Sequence, residues 1–103
     1  MTEPTYHSLT RSERDHLLAT AHLHDDNNVP NGQDIQRRVE TLRGGDRPAN
    51  NTTYPAMSRL QEFGYVKAET VDGHTRGYRL TVGGQQALKD AAELFRPDYT
   101  VDE

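Results

Sequence analysis

No cysteine occurs in the 103 residues, so disulfides, thiol redox chemistry and Cys-ligated zinc are excluded from the outset. No apolar run approaches the roughly 20 residues that span a bilayer. The opening MTEPTYHSLT lacks the charged-then-apolar order of a secretory signal, so a cytoplasmic protein is expected. Lysine is scarce: two stand against ten arginines, amid sixteen Asp and Glu. That balance is similar to proteins of salt-accumulating halophiles, although a mildly acidic mesophile can show it too. Large apolar residues are also few. Leu, Ile, Val and Phe make up 18 of the 103 residues, below the roughly 20% at which disorder becomes a concern when net charge is high. With a net charge of only −4 and clear punctuation between segments, the chain reads as one folded domain with a thin core. Burial against a second copy is then attractive, because small domains bury proportionally little surface alone. There is no phosphate loop, nucleophile–base pairing or cluster of carboxylates at usable spacing. No enzymatic activity and no cofactor are therefore expected.

The charge that is present is unevenly placed. Residues 31–81 hold eight Lys/Arg against six Asp/Glu, while 1–30 and 82–103 each hold two against five. The middle of the chain is its least acidic part.

The stretch around which the chain is organised, NNTTYPAMSRLQEFG at 50–64, reads as a helix with a glycine stop. Pro55 belongs in a first turn, which makes Asn51 or Thr52 the expected N-cap. At 100° per residue Thr53, Ala56, Met57, Leu60 and Phe63 gather on one side and Asn51, Tyr54, Ser58 and Glu62 on the other. An exposed N-terminal half carrying Asn, Thr, Tyr and Ser suits base edges and phosphates in a major groove. An ordinary amphipathic helix would look the same in isolation, so the flanking segments decide.

Upstream, Thr10-Arg11-Ser12-Glu13 fits a capping box opening a helix to about His24, with Leu17, Leu18 and Ala21 as its inward stripe and DDNN at 25–28 as its end. His16, His22 and His24 lack the i, i+4 spacing of a helical metal site and read as surface or interface residues, so no metal is expected. Asn31 can cap a second helix, NGQDIQRRVETLR, whose Ile35, Val39 and Leu42 form a core face. Arg37, Arg38 and Arg43 lie off that face, free either to be solvated or to reach phosphates. After the break at 44–48, the organising helix completes a helix-turn-helix.

Beyond Gly64 the period changes to two. Residues 65–70 and 76–81 read as strands, with Asp72-Gly73 as the hairpin signal. The wing so formed carries His74, Thr75 and Arg76 at its tip and Arg79 further down, a set suited to a minor groove or to phosphates. A two-stranded flap over the core is the alternative. Thr81 can cap a last helix, 82–95, stopped by Arg96-Pro97. Its Leu88, Ala91, Ala92 and Phe95, with the adjacent Ala87, Ala91 and Leu94, make an apolar face wider than a small domain needs. One broad core face or a partner helix would each explain it.

TTYPAMSRLQEFGYV and GYRLTVGGQQAL, at this separation, resemble the tyrosine-proline recognition helix and the strand-to-helix junction of the PadR-like winged-helix transcription regulators, over roughly residues 9–95. The resemblance implies a mainly α fold with a small β-hairpin wing: a three-helix core, a two-stranded wing and a C-terminal helix. Residues 1–8 would be a lead-in, 9–95 the DNA-binding domain with a dimerisation helix at 82–95, and 96–103 an acidic tail. It implies a homodimer on double-stranded DNA. Asn50, Asn51, Thr52, Thr53, Tyr54, Ser58 and Arg59 would contact it from the recognition helix and His74, Thr75, Arg76 and Arg79 from the wing, while Arg38 of the second helix and Arg47 of the loop would reach the DNA backbone. Leu17, Leu88, Ala91, Leu94 and Phe95 would form the dimer contact. Thr53 departs from the family pattern, which favours a larger apolar residue there, and the last helix is short. The short helix suits a subgroup that dimerises through its terminal helices. With the acidic, lysine-poor composition it suggests a haloarchaeal member acting in oxidant or other stress response. A winged helix serving protein interaction is the rival, and the polar, locally basic face of Asn51, Thr52, Ser58, Arg59, Arg76 and Arg79 argues against it. Operator, regulated genes and any small-molecule effector are not specified by the sequence.

Overall fold

The computed structural model describes residues 5–24, 29–71 and 73–95, with side chains through 93. Helices α1 (Arg11–Leu23), α2 (Gly32–Leu42) and α3 (Asn50–Glu62) are followed by strands β1 (Val66–Val71) and β2 (Thr75–Leu80) and by α4 (Val82–Phe95). Helix α1 packs on both α2 and α3, and the hairpin leads the chain back to α4. This is a winged helix.

Local chemistry sets most boundaries. Thr10 and Glu13 form the capping box of α1, each side chain bonding the other's backbone N–H at 3.1 and 2.9 Å. Asn31 caps α2 through Asp34 N–H at 2.8 Å, and Thr81 caps α4 through Gly84 N–H at 3.0 Å. Gly64, at φ 79°, closes α3: its own N–H bonds the Gln61 carbonyl and the Tyr65 N–H the Leu60 carbonyl, both at 2.9 Å.

The core is Leu17, Ala19, Ile35, Val39, Met57 and Leu60, closed by Tyr65, Val66, Tyr78, Leu80 and Ala87. Several inward positions differ from the sequence reading. Leu18 is exposed, and His16, Ala19 and Thr20 are buried instead. Both polar groups are satisfied inside the helix, Thr20 donating to the His16 carbonyl at 2.8 Å and His16 Nδ1 to that of Ser12 at 2.7 Å, so the polar residues could turn inward. His16 is therefore no surface histidine. Neither is His24, half-buried, whose Nδ1 accepts the Leu80 N–H at 3.3 Å. Leu42 is exposed because it stands in the last turn of α2, among the exposed residues that lead out of the core.

The lead-in is more structured than expected. Tyr6–Ser8 form a 3₁₀ turn, Leu9 is buried, and the Arg14 guanidinium bonds the Tyr6 and His7 carbonyls while lying 5.0 Å from the Tyr6 ring centroid. Helix α3 begins earlier than expected, at Asn50, with Ala49 as an N-cap that has no side-chain bond. Pro55 therefore sits in the second turn, where it has no N–H to donate to the Asn51 carbonyl.

The strands pair antiparallel from Val66↔Leu80 to Val71↔Thr75, so three residues, 72–74, connect them, with Gly73 at φ 79°. The strands are thus offset by one residue from the sequence reading. A bridge of Asn31 to Gly77, with the Tyr78 N–H on the Pro30 carbonyl at 2.8 Å, fixes the wing to the entry of α2. The expected turn DDNN at 25–28, Asp72, and the tail from 96 lie outside the described residues. Among those described, no helix is long and apolar enough to cross a membrane.

Candidate nucleic-acid interface

The outward face of α3 is as the helical period predicts: Asn50, Asn51, Tyr54, Ser58 and Arg59 are exposed and Thr52 is half-buried. Thr53 is not on it. Its side chain is fully buried, and its hydroxyl lies 3.0 Å from His16 Nε2. A residue closed inside its own chain cannot touch DNA, so Thr53 leaves the contact set. Its inward place also explains why a threonine serves where an apolar side chain would otherwise pack: the imidazole supplies the polar partner.

Tyr54 stands against the start of α2. A Cβ at Gly32 would come within 2.7 Å of its ring and hydroxyl, so the absence of a side chain there makes room for the phenol. Tyr54, Gly32 and Asn31 meet Thr75, Arg76 and Tyr78 of the wing around an open cleft of 350 Å³. Tyr78 is buried beneath it. Burial raises its phenol above the ordinary tyrosine value, against the opposing charge of Arg76, which also bonds it. Helix α3, the α2 entry and the wing therefore share one surface.

At the wing, His74, Thr75 and Arg76 are exposed. Arg79 is half-exposed and engaged at 3.0 Å with Glu69 on the neighbouring strand. Arg59 lies 3.9 Å from Glu62 and 5.2 Å from the Phe63 ring centroid. Arg47 donates to Gln36 Oε1 at 3.3 Å. Arg38 borders a separate depression of 520 Å³ between the end of α1 and α2, together with Arg37, which lies 3.7 Å from Asp34. Arg43 instead joins α2 to α1 through Asp15 at 3.0 Å.

Two of the five expected dimer contacts are taken up by the chain's own fold. Leu17 is fully buried in the chain's own core and Ala91 is almost so, which removes both from any surface a partner could reach. Leu88 is half-buried against the same core. The side chains of Leu94 and Phe95 lie outside the described residues. No group of three metal-ligating side chains occurs among the described residues.

Sequence reasoning missed Gln36, Gly32 and Tyr78. Gln36 is buried and bonds Asn50 at 2.7 Å. A lone glutamine on a helix carries no periodic signal, and the packing of Gly32 under Tyr54 joins residues far apart in the chain.

A family model described as the transcriptional regulator PadR-like family matches residues 21–90. No curated protein matches the sequence. Among solved structures, the chain is similar to one in the complex structure of hsRosR-S4, at TM-score 0.78 and 23% identity over 95% of this chain and 80% of that one. A chain in the complex of hsRosR-S1 gives TM-score 0.74 and 25% identity over 86% and 74%. A PadR-like transcription factor from bacteroid fragilis gives 0.58 and 21% over 79% and 78%.

Proposed function

Because the chain belongs to the PadR-like family of transcriptional regulators, we propose that it reads double-stranded DNA by laying the N-terminal half of α3 in a major groove while the wing reaches the adjoining backbone. The observation that carries this is the cleft that Tyr54 of α3 shares with Thr75 and Arg76 of the wing. The same helix begins without a side-chain cap and carries exposed Asn50 and Asn51 in its first turn. Uncapped N–H groups at the positive end of a helix favour a phosphate, and nothing in this face is apolar enough to ask for a protein instead.

The protein acts in the cytoplasm as a homodimer, which places two such helices in successive grooves. Support for the dimer is the thin core together with the exposed Leu18 on α1. A role in the stress response of a halophile rests on the acidic, lysine-poor composition and the motif resemblance. Gel-shift titration of a genome-selected site tests the reading. Arg76→Ala should weaken all sequences alike, and Tyr54→Ala should weaken the selected site most. Unchanged affinity in both, with native circular dichroism, would refute it. Light scattering of the free protein tests the dimer.

A further inference from the structure

Three polar side chains form a directed relay at the entrance to α3. The Arg47 guanidinium donates to Gln36 Oε1 at 3.3 Å, and Gln36 Nε2 donates to Asn50 Oδ1 at 2.7 Å. Gln36 is 3% exposed, so its amide has little water to turn toward. The direction follows from the first member. A guanidinium has only donors, so the Gln36 oxygen must face it, the Gln36 nitrogen must face Asn50, and Asn50 must answer with its oxygen. Reversing the amides would set the Gln36 NH₂ against the guanidinium. Asn50 is exposed in the first turn of α3, and its NH₂ is the end of the amide that Gln36 does not hold.

We infer that Gln36 is a specificity-determining residue: it holds the Asn50 oxygen toward α2 so that Asn50 reads with its NH₂, and the base Asn50 selects is guanine. The inference rests on the DNA-binding reading above. A free asparagine pairs with adenine by accepting from N6 and donating to N7, and therefore needs both ends of its amide. Here the Gln36 bond occupies one of the two lone pairs of the Asn50 oxygen and holds that oxygen toward α2, away from a base. An outward NH₂ meets two adjacent acceptors on guanine, N7 and O6, but on adenine it meets the N6 amine as a second donor. Gln36 acts through Asn50 and touches no base, so it is a positioning residue.

The test is selection of full-length protein on a randomised duplex pool, sequenced for wild type, Asn50→Ala, Gln36→Glu and Gln36→Leu. Wild type should enrich a motif in which Asn50→Ala flattens one position, and at that position guanine should exceed adenine by on the order of tenfold. Gln36→Glu would accept from both Arg47 and Asn50, turn the Asn50 oxygen outward, and shift that single position toward a base carrying an amine. If circular dichroism shows Gln36→Glu unfolded, Gln36→Leu decides, because it frees the Asn50 amide and should shift that position from guanine toward adenine. Adenine preferred by wild type, a guanine preference untouched by the folded Gln36 variant, or Asn50→Ala lowering all sequences equally would each overturn the inference while leaving DNA binding in place. A wild type that enriches no motif would remove both the underlying reading and the inference.

Discussion

His16 Nε2 lies 3.0 Å from the Thr53 hydroxyl, tying the middle of α1 to the inner face of α3. The other ring nitrogen faces the Ser12 carbonyl at 2.7 Å and must donate to it. Nε2 is then the acceptor of a neutral imidazole, and the threonine hydroxyl donates. Burial lowers the His16 pKa below its ordinary 6.5, helped by Arg43 and opposed by the Ser12 bond, Asp15 and Glu13.

That depression makes stability depend on pH. Between the folded and unfolded pKa values the unfolded chain binds more protons, so stability rises with pH through that window. The contribution of His16 should be complete above about 6.5 and be lost as pH falls from there toward the folded value. Thermal melts between pH 8 and pH 5 should show the fall, and His16→Gln should flatten it. Thr53→Val keeps the shape but leaves Nε2 buried without a donor, at a cost of about 1–3 kcal/mol. Chemical denaturation at neutral pH would measure that loss.

Gly32 and Tyr54 make a second coupled pair. In Gly32→Ala the new methyl would meet the far end of the tyrosine ring, which is exposed enough to swing away, so the fold should survive. Displacing the phenol from the cleft should weaken binding to the selected site about as much as Tyr54→Ala does. Fluorescence anisotropy with labelled operator checks it, and wild-type affinity in Gly32→Ala would count against a DNA contact through Tyr54.

Gly84 offers the contrast. A Cβ there would run into the backbone carbonyl of Tyr65, with Leu80 Cδ1 at 2.7 Å on another side. Backbone cannot swing aside, so Gly84→Ala should unseat α4 from the hairpin. Overpacking of this kind costs about 1–3 kcal/mol, and at roughly 4–8 °C per kcal/mol for a domain of this size the melting temperature should fall clearly. Calorimetry reads it directly.

Salt dependence should be shallow. A repressor making 6 to 10 phosphate contacts loses roughly 10³- to 10⁵-fold in affinity between 50 and 200 mM salt through counterion release. Here Arg43 and Arg79 are already 3.0 Å from Asp15 and Glu69, while Arg37 and Arg59 lie within 4 Å of Asp34 and Glu62. With a net charge of −4, added salt also screens repulsion from the DNA. Specific binding should persist at molar potassium chloride. Isothermal titration across a salt series checks this, and a steep negative slope ending in no binding, with the protein still folded, would contradict it.

The sequence alone determined the elements whose signals are local. Thr10 with Glu13, Asn31 with Asp34, and Thr81 with the N–H of Gly84 are caps made within four residues, and Gly64 stops α3 by its own backbone freedom. The exposed and buried sides of α3 followed from the 3.6-residue period, because that helix lies on the core by one face. Tertiary structure decided what depends on partners distant in the chain. Leu18 faces solvent and His16 the interior because α1 is gripped by two helices at once and the imidazole finds its partner 37 residues away, in Thr53. Helix α3 starts at Asn50, without a side-chain cap, where Gln36 of α2 holds the Asn50 amide. Periodicity ranks residues by transfer from water, and burying a polar group costs little once a hydrogen bond awaits it. Whether one awaits is a property of the packed chain, and so the buried histidine and the polar relay became visible only in three dimensions.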